Sequence, residues 1–289
     1  MYDMQMISEA ELHFYRMTLA LFATFFGACV GSFLNVCIYR IPRDESVVKP
    51  RSHCPNCGMM IPWHQNIPVI SWLALRGNCA ECKKPISFRY TLVELLTAML
   101  FLAVFMKWAM PAQLHMMPIP HFAIVPIYWL ILGGFILGTF VDFEHFIIPD
   151  SVTIGGMIAG PILSALVPQL HNQTTWWQGL TRSSIGLLAG FGLLFLIAEL
   201  GTRIFKKEAM GFGDVKLMGA IGAFFGWQAV LFTVFASSLL GSIAGVLLIA
   251  FGGIKMQSRI PFGPYICASA TIWMFWGNQI LNAYLNLMK

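Results

Sequence analysis

Long apolar runs dominate the chain and are separated by short polar joints. Runs near the length of about 20 residues needed to cross a bilayer as a helix lie at roughly 17–39, 92–110, 122–141, 152–168, 180–202, 215–227, 229–253 and 262–286. That pattern predicts an all-α polytopic membrane protein with about eight transmembrane helices. The sixth run is short and carries Gly219, Gly222 and Gly226. The first is too long for a removable signal peptide and starts on the acidic residues Asp3, Glu9 and Glu11, the reverse of a basic leader. One polar insertion, 40–91, stands between the first two runs. The predicted division is therefore 1–39, a first transmembrane helix; 40–91, an inserted module; and 92–289, a membrane bundle.

Composition agrees with this pattern. The 289 residues are 57% hydrophobic and only 11% charged, against roughly 25% charged in a soluble domain, and mean hydropathy is +0.71. The distribution of Lys and Arg predicts orientation. With eight spans and both termini outside, the inner loops are about 40–91, 142–151, 203–214 and 254–261. All of the 18 Lys and Arg except Arg16, Lys107, Arg182 and Lys289 fall in or beside them. The net charge of +5 is thus a topology signal and gives no reason to expect nucleic acid.

The insertion contains Cys54-Pro-Asn-Cys57 and Cys79-Ala-Glu-Cys82, 21 residues apart. Two such knuckles at near this spacing hold one tetrahedral Zn(II) on four thiolates, and the cytoplasmic side disfavours disulfides. A closed four-thiolate site is structural, since no position stays open for water. The plainer alternative is four free thiols. Cys29, Cys37 and Cys267 lie in apolar runs and read as small buried hydrophobes.

Acidic residues near the inner ends of the runs carry the remaining chemistry. Asp142 ends one apolar run, and Asp214 follows Gly211-Phe212-Gly213 at the start of another. Ionisable groups at membrane depth are costly and mark pathways or reaction centres. Two carboxylates meeting in a dry site can share a proton and activate water. Asp150 reads as the N-cap of the next span, Glu199 as an i,i+4 partner of Arg203, and Glu208 as a solvated loop residue beside Lys206 and Lys207. Lys216 is either an electrostatic partner of Asp214 or a membrane anchor. From these residues alone, an aspartic protease and an ion or proton transporter are about equally supported. A membrane-anchored zinc-ribbon adaptor is a third reading, and it leaves both aspartates unexplained.

Several separate segments together resemble the type IV prepilin peptidases. They are Gly31–Pro42; the Cys54–Cys82 knuckles with Asn66-Ile67-Pro68 and Ser71-Trp72-Leu73; Arg89-Tyr90 and Val93-Glu94, with Thr91 where that family often has Pro; 142–150; 211–216; and Pro261-Phe262-Gly263-Pro264. The resemblance implies a bacterial inner-membrane aspartic endopeptidase. It would use Asp142 and Asp214 to cut the short basic leader from prepilins and type II secretion pseudopilins at the cytoplasmic face. It also implies N-methylation of the new N-terminus with S-adenosylmethionine. The 40–91 module is the expected contributor to that second activity, with no donor-binding residues assigned. Glu94 is a single candidate, set against its plain reading as an acid at the start of the second span.

Overall fold

The computed structural model describes residues 9–109, 120–207, 210–251 and 260–288. Among these residues the chain is helical, with isolated bridges in the inserted module as the sole β pairing. It divides into two compact units, Met1–Gly133 and Gly134–Lys289. Among the described residues, five helices are long and apolar enough to cross a membrane, and large side chains such as Phe22, Leu188 and Phe235 are exposed along helix surfaces. This is the outward apolar face that a bilayer solvates.

In the first unit, α1 (Glu9–Arg40) packs on α3 (Phe88–Val104) through Gly27 and Gly31. A Cβ on Gly27 would stand 2.8 Å from Phe101 Cβ, and one on Gly31 would stand 2.7 Å from Glu94 Cα. Glycines four apart let the two backbones approach directly, the close packing that membrane helices use in place of a hydrophobic drive. Trp129, in α4 (Pro120–His145), stacks on Phe101 with centroids 5.0 Å apart and donates its indole N–H to the Phe101 carbonyl. Between α1 and α3 lies the insertion, with one five-residue helix, α2 (Ile70–Ala74). Trp72 anchors it by donating to the Ile86 carbonyl, lying edge-on to Phe88 and covering Gly77.

The second unit contains the end of α4, then α5 (Asp150–Leu166), α6 (Trp176–Phe205), α7 (Phe212–Ala250) and α8 (Gly263–Leu287). As a straight rod, the 39 residues of α7 would run about 58 Å at 1.5 Å per residue, well beyond a bilayer core. It is not straight. Gly226 has φ 81° and ψ 174° and breaks the helix. Val230 then returns to within 3.0 Å of the Cβ position of Gly222, so 212–225 and 227–250 form an antiparallel hairpin. Only glycine adopts this backbone without strain. The break removes downstream helical N–H donors, and the Ala223 carbonyl takes the Ser183 hydroxyl instead (2.7 Å), with His171 Nε2 at 3.2 Å. The hairpin packs on α6 backbone to backbone, where a Cβ on Gly186 would meet the Gly222 oxygen at 2.0 Å. The sixth and seventh apolar runs are therefore two arms of one hairpin.

Candidate functional site: a carboxylate pair and a four-cysteine cluster

Asp142 stands one turn before the end of α4. The helix stops because Phe146 turns left-handed (φ 57°) while its N–H still reaches the Asp142 carbonyl. Asp214 stands in the first turn of α7, which Gly211 opens in extended conformation. Both carboxylates are buried, at 6% and 8% exposure, although each lies within a turn of a helix end. A single side chain, Ile148, packs on Gly213 beside Asp214 and on Gly263, whose N–H holds Asp142. Cys267 is buried one turn into α8, four residues beyond Gly263, whose N–H holds Asp142. The structure thus brings together the two acids that stand 72 residues apart in sequence.

Glycine shapes the ground around the pair. Gly263 donates its N–H to Asp142 Oδ2 at 2.9 Å, and a Cβ at that position would stand 2.8 Å from the same oxygen. Ile148 packs against both Gly263 and Gly213, so one side chain spans the ground between the two acidic segments. The Pro261–Pro264 motif therefore delivers a backbone donor to a buried carboxylate. The sequence offered that segment only as a resemblance, and offered Cys267 only as a buried small residue.

The other acids sort differently. Asp150 does not cap α5, because the cap position belongs to Pro149. Instead its carboxylate pairs with Lys216 Nζ and accepts from Thr153. Pro149 fills the cap with the φ its ring fixes and an extended ψ of 140°, and Asp150 gains a cation by lying one residue further in. Lys216 is thus the partner of Asp150, tying the start of α5 to the first turn of α7. Glu199 pairs with Arg203 at 2.7 Å, as the i,i+4 spacing predicts. Glu208 lies outside the described residues, as does most of the 254–261 loop with Lys255 and Arg259.

In the first unit, the four sulfurs of Cys54, Cys57, Cys79 and Cys82 lie within 4.8 Å of one another. Cys54 and Cys82 are 3.9 Å apart, and Cys57 and Cys79 are 4.0 Å apart. A tetrahedron with Zn–S of about 2.3 Å has S···S edges of about 3.8 Å, so the set fits zinc. The knuckles are near copies. In each, the second-cysteine side of the loop closes back on the first, through Gly58 N–H to Cys54 O and Lys83 N–H to Cys79 O, and both closing residues are left-handed (φ 71° and 55°). Burial opposes ionisation of Cys54, but the N–H groups of Cys57 and Asn56 and the neighbouring thiols outweigh it and bring its pKa to about 6. The Met59 N–H favours a thiolate at Cys57, yet burial and the crowd of thiols push its pKa up to about 11. Four thiolates gathered this tightly need a cation between them.

Glu94 is nearly buried in α3, and the Val69 N–H donates to its Oε2 at 2.7 Å. It belongs to the wall of a cavity of about 410 Å³ between the module and the start of α3.

Residues 25–108 match the Bacterial Peptidase A24 N-terminal domain, and residues 125–246 match the Type IV leader peptidase family. The chain is 35% identical to the prepilin leader peptidase/N-methyltransferase of Aeromonas hydrophila, covering 90% of this chain and 91% of that protein. It is 32% identical to the Legionella pneumophila protein of the same name, over 90% and 92%. It is 37% identical to the one from Myxococcus xanthus, where the match covers 81% of this chain but only 64% of that longer protein. No solved structure matches the chain.

Proposed function

The chain belongs to the prepilin leader peptidase/N-methyltransferase family, and from that premise we propose that Asp142 and Asp214 are its peptidase pair. The substrates are prepilins, and by the same chemistry type II secretion pseudopilins. Their basic leaders are cut at the cytoplasmic edge of the bacterial inner membrane. The observation that carries the reading is two buried aspartates at the ends of separate helices, with Ile148 packed on Gly213 beside one and on Gly263, whose N–H holds the other.

In the mechanism, one carboxylate is ionised and takes a proton from a water between the acids. The other keeps its proton and donates it toward the scissile carbonyl, later helping to protonate the leaving amine. The pair shares one proton and titrates as a unit. The Gly263 N–H fixes the Oδ2 edge of Asp142, which leaves Oδ1 for the water. An apolar substrate helix stays in the bilayer while its basic leader remains in water. The cut must then fall where apolar helices end, which is where both acids lie. Fourteen cations on the expected inner side support a cytoplasmic edge.

The four cysteines would hold zinc as a structural staple for the 40–91 module, and the 92–289 bundle carries the cleavage. S-adenosylmethionine supplies the methyl group as an electrophilic carbon on a sulfonium, and the peptide amine receives it. A transporter using the same acids is the second reading; the matches over most of the chain favour the peptidase. Incubating detergent-purified protein with a prepilin and weighing the product tests the proposal. Loss of the leader mass is expected, and an intact prepilin beside proton flux in vesicles would overturn it.

A further inference from the structure

We propose that the cavity of about 410 Å³ in the first unit is the methyl-donor site, and that the Glu94 carboxylate faces the donor's sulfonium; this rests on the methyltransferase reading above. A cofactor pocket typically spans about 300–1,000 Å³, so the volume suits one donor molecule. Its wall combines Glu94 and Asn35 with the aromatic faces of Trp72 and Tyr90. That is the chemistry of the donor: one fixed positive charge, a purine ring and polar edges. Aromatic faces suit the purine, and a half-desolvated carboxylate attracts a cation far more strongly than a wet one does.

Two details mark the wall as built for a ligand. Asn35 is 3% exposed and spends its amide N–H on the Tyr90 carbonyl at 2.9 Å, but its Oδ1 is buried with no hydrogen-bond partner. A buried acceptor left open costs about 1–3 kcal/mol, and a donor hydroxyl, amine or ammonium on a ligand would satisfy it. Val69, at the edge of the same wall, has φ 62° and ψ −50°. A β-branched residue is a true outlier there, and such strain persists where surrounding structure over-determines it. Two bonds hold it here: the Ile70 N–H closes a tight turn on the Pro68 carbonyl at 2.6 Å, and Glu94 Oε2 accepts the Val69 N–H at 2.7 Å. The carboxylate is in turn aimed by the Val69 bond and by the Ser32 hydroxyl. Gly31 completes the frame, since any side chain there would collide with the Glu94 backbone. The carboxylate is thus held from two sides, and its helix is seated against α1, before a ligand arrives.

The same charge separates substrate from product. The donor is a sulfonium cation, whereas the demethylated product is a neutral thioether. A facing carboxylate holds the first more tightly than the second. The test is calorimetric titration of the full-length detergent-solubilised protein with S-adenosylmethionine and, separately, with S-adenosylhomocysteine. Wild-type protein should prefer the sulfonium. Glu94→Gln should weaken donor binding on the order of ten-fold or more while weakening thioether binding much less, so the preference collapses. Asn35→Leu, which fills the polar gap, should weaken both ligands together. Each variant is first shown to keep its zinc content and gel-filtration elution. In a parallel arm, ultraviolet crosslinking of radiolabelled donor to wild-type protein should label peptides from 32–94. Label confined to 134–289, or an unchanged sulfonium-to-thioether preference in Glu94→Gln, overturns the assignment. Failure of wild-type protein to cut a prepilin would remove the peptidase reading and leave the titration to decide the donor site by itself.

Discussion

The carboxylate pair and the cysteine cluster solve the same problem by opposite means. Each gathers groups that repel one another. The acids are held by helix packing: α6 lies on the α7 hairpin glycine to glycine, Ile148 spans Gly213 and Gly263, and one backbone N–H steadies Asp142. The cysteines have no such core. Their module is built from turns, two isolated bridges and the short α2, and the four sulfurs draw its two knuckles together. The first site is rigid because its helices are rigid, so it tolerates no added volume. The second is rigid only while a cation is bound, so it tolerates volume at its rim and no change of ligand.

The largest effect should come from the acids themselves. Asp142→Asn or Asp214→Asn should each reduce leader cleavage by about a thousand-fold or more, since neither can then supply its half of the proton traffic. Insertion and zinc content should remain normal. Asp214→Asn protein, offered an already cleaved pilin, should still methylate it, because methyl transfer needs an amine and a donor but no acid pair. A mass-resolved assay of both reactions checks this, and normal cleavage by Asp142→Asn protein would sink the pairing.

Next comes added volume. In Gly263→Ala protein the new methyl would lie 2.8 Å from Asp142 Oδ2 and 3.0 Å from Ile148 Cδ1. Overpacking of this kind typically costs about 1–3 kcal/mol, and a small displacement of a reacting group costs up to about a hundred-fold in rate. Cleavage should fall by about ten- to a hundred-fold, with the loss in kcat and a nearly unchanged KM. The matching change in the other region, Lys83→Gly, should leave both activities intact, since the left-handed turn already suits glycine. Equal sensitivity at the two positions would break the contrast.

Changing a ligand should reverse the order. In Cys79→Ser protein, or after exhaustive chelation, zinc measured by elemental analysis should drop from about one per chain, and thiols should become reactive. The wall that carries Trp72 and Val69 belongs to the same module, so methylation should fall further than cleavage. Loss of cleavage with methylation preserved would mean that the staple serves the peptidase.

The legible parts of this architecture are the local ones. Length and hydropathy located the helices, but the short sixth run reads as a span of its own, and the hairpin that joins it to the seventh at Gly226 is not foreseen. The knuckle spacing located the four sulfurs. The illegible parts are encounters across the fold. The Gly263 bond to Asp142 spans 121 residues, and no periodicity encodes it. Cys267 looks like any small apolar residue until α8 sets it one turn from the Gly263 contact to Asp142. Asp150 resembled a cap because Asp before a helix is commonly one, and Lys216, 66 residues away, captures it instead. Val69 gives no sign in sequence of a left-handed backbone, because a β-branched residue takes it only under outside constraint.

That ion pair yields the smallest expected effect and the finest test of the contrast. Asp150 is 63% exposed at its side chain, while Lys216 is 18% exposed. An ion pair whose carboxylate stands open to water contributes little to stability, so Asp150→Asn should lower thermal stability slightly and leave most of the cleavage rate. If the glycine-packed bundle alone positions Asp214, the residual effect should be independent of salt. If the ion pair also guides the first turn of α7, wild-type cleavage should decline with ionic strength toward the level of the variant, while the variant itself stays flat. Comparing cleavage rates of both proteins between low and high salt distinguishes the two. A variant as inactive as Asp214→Asn would instead put Asp150 into the proton traffic and enlarge the site from two acids to three.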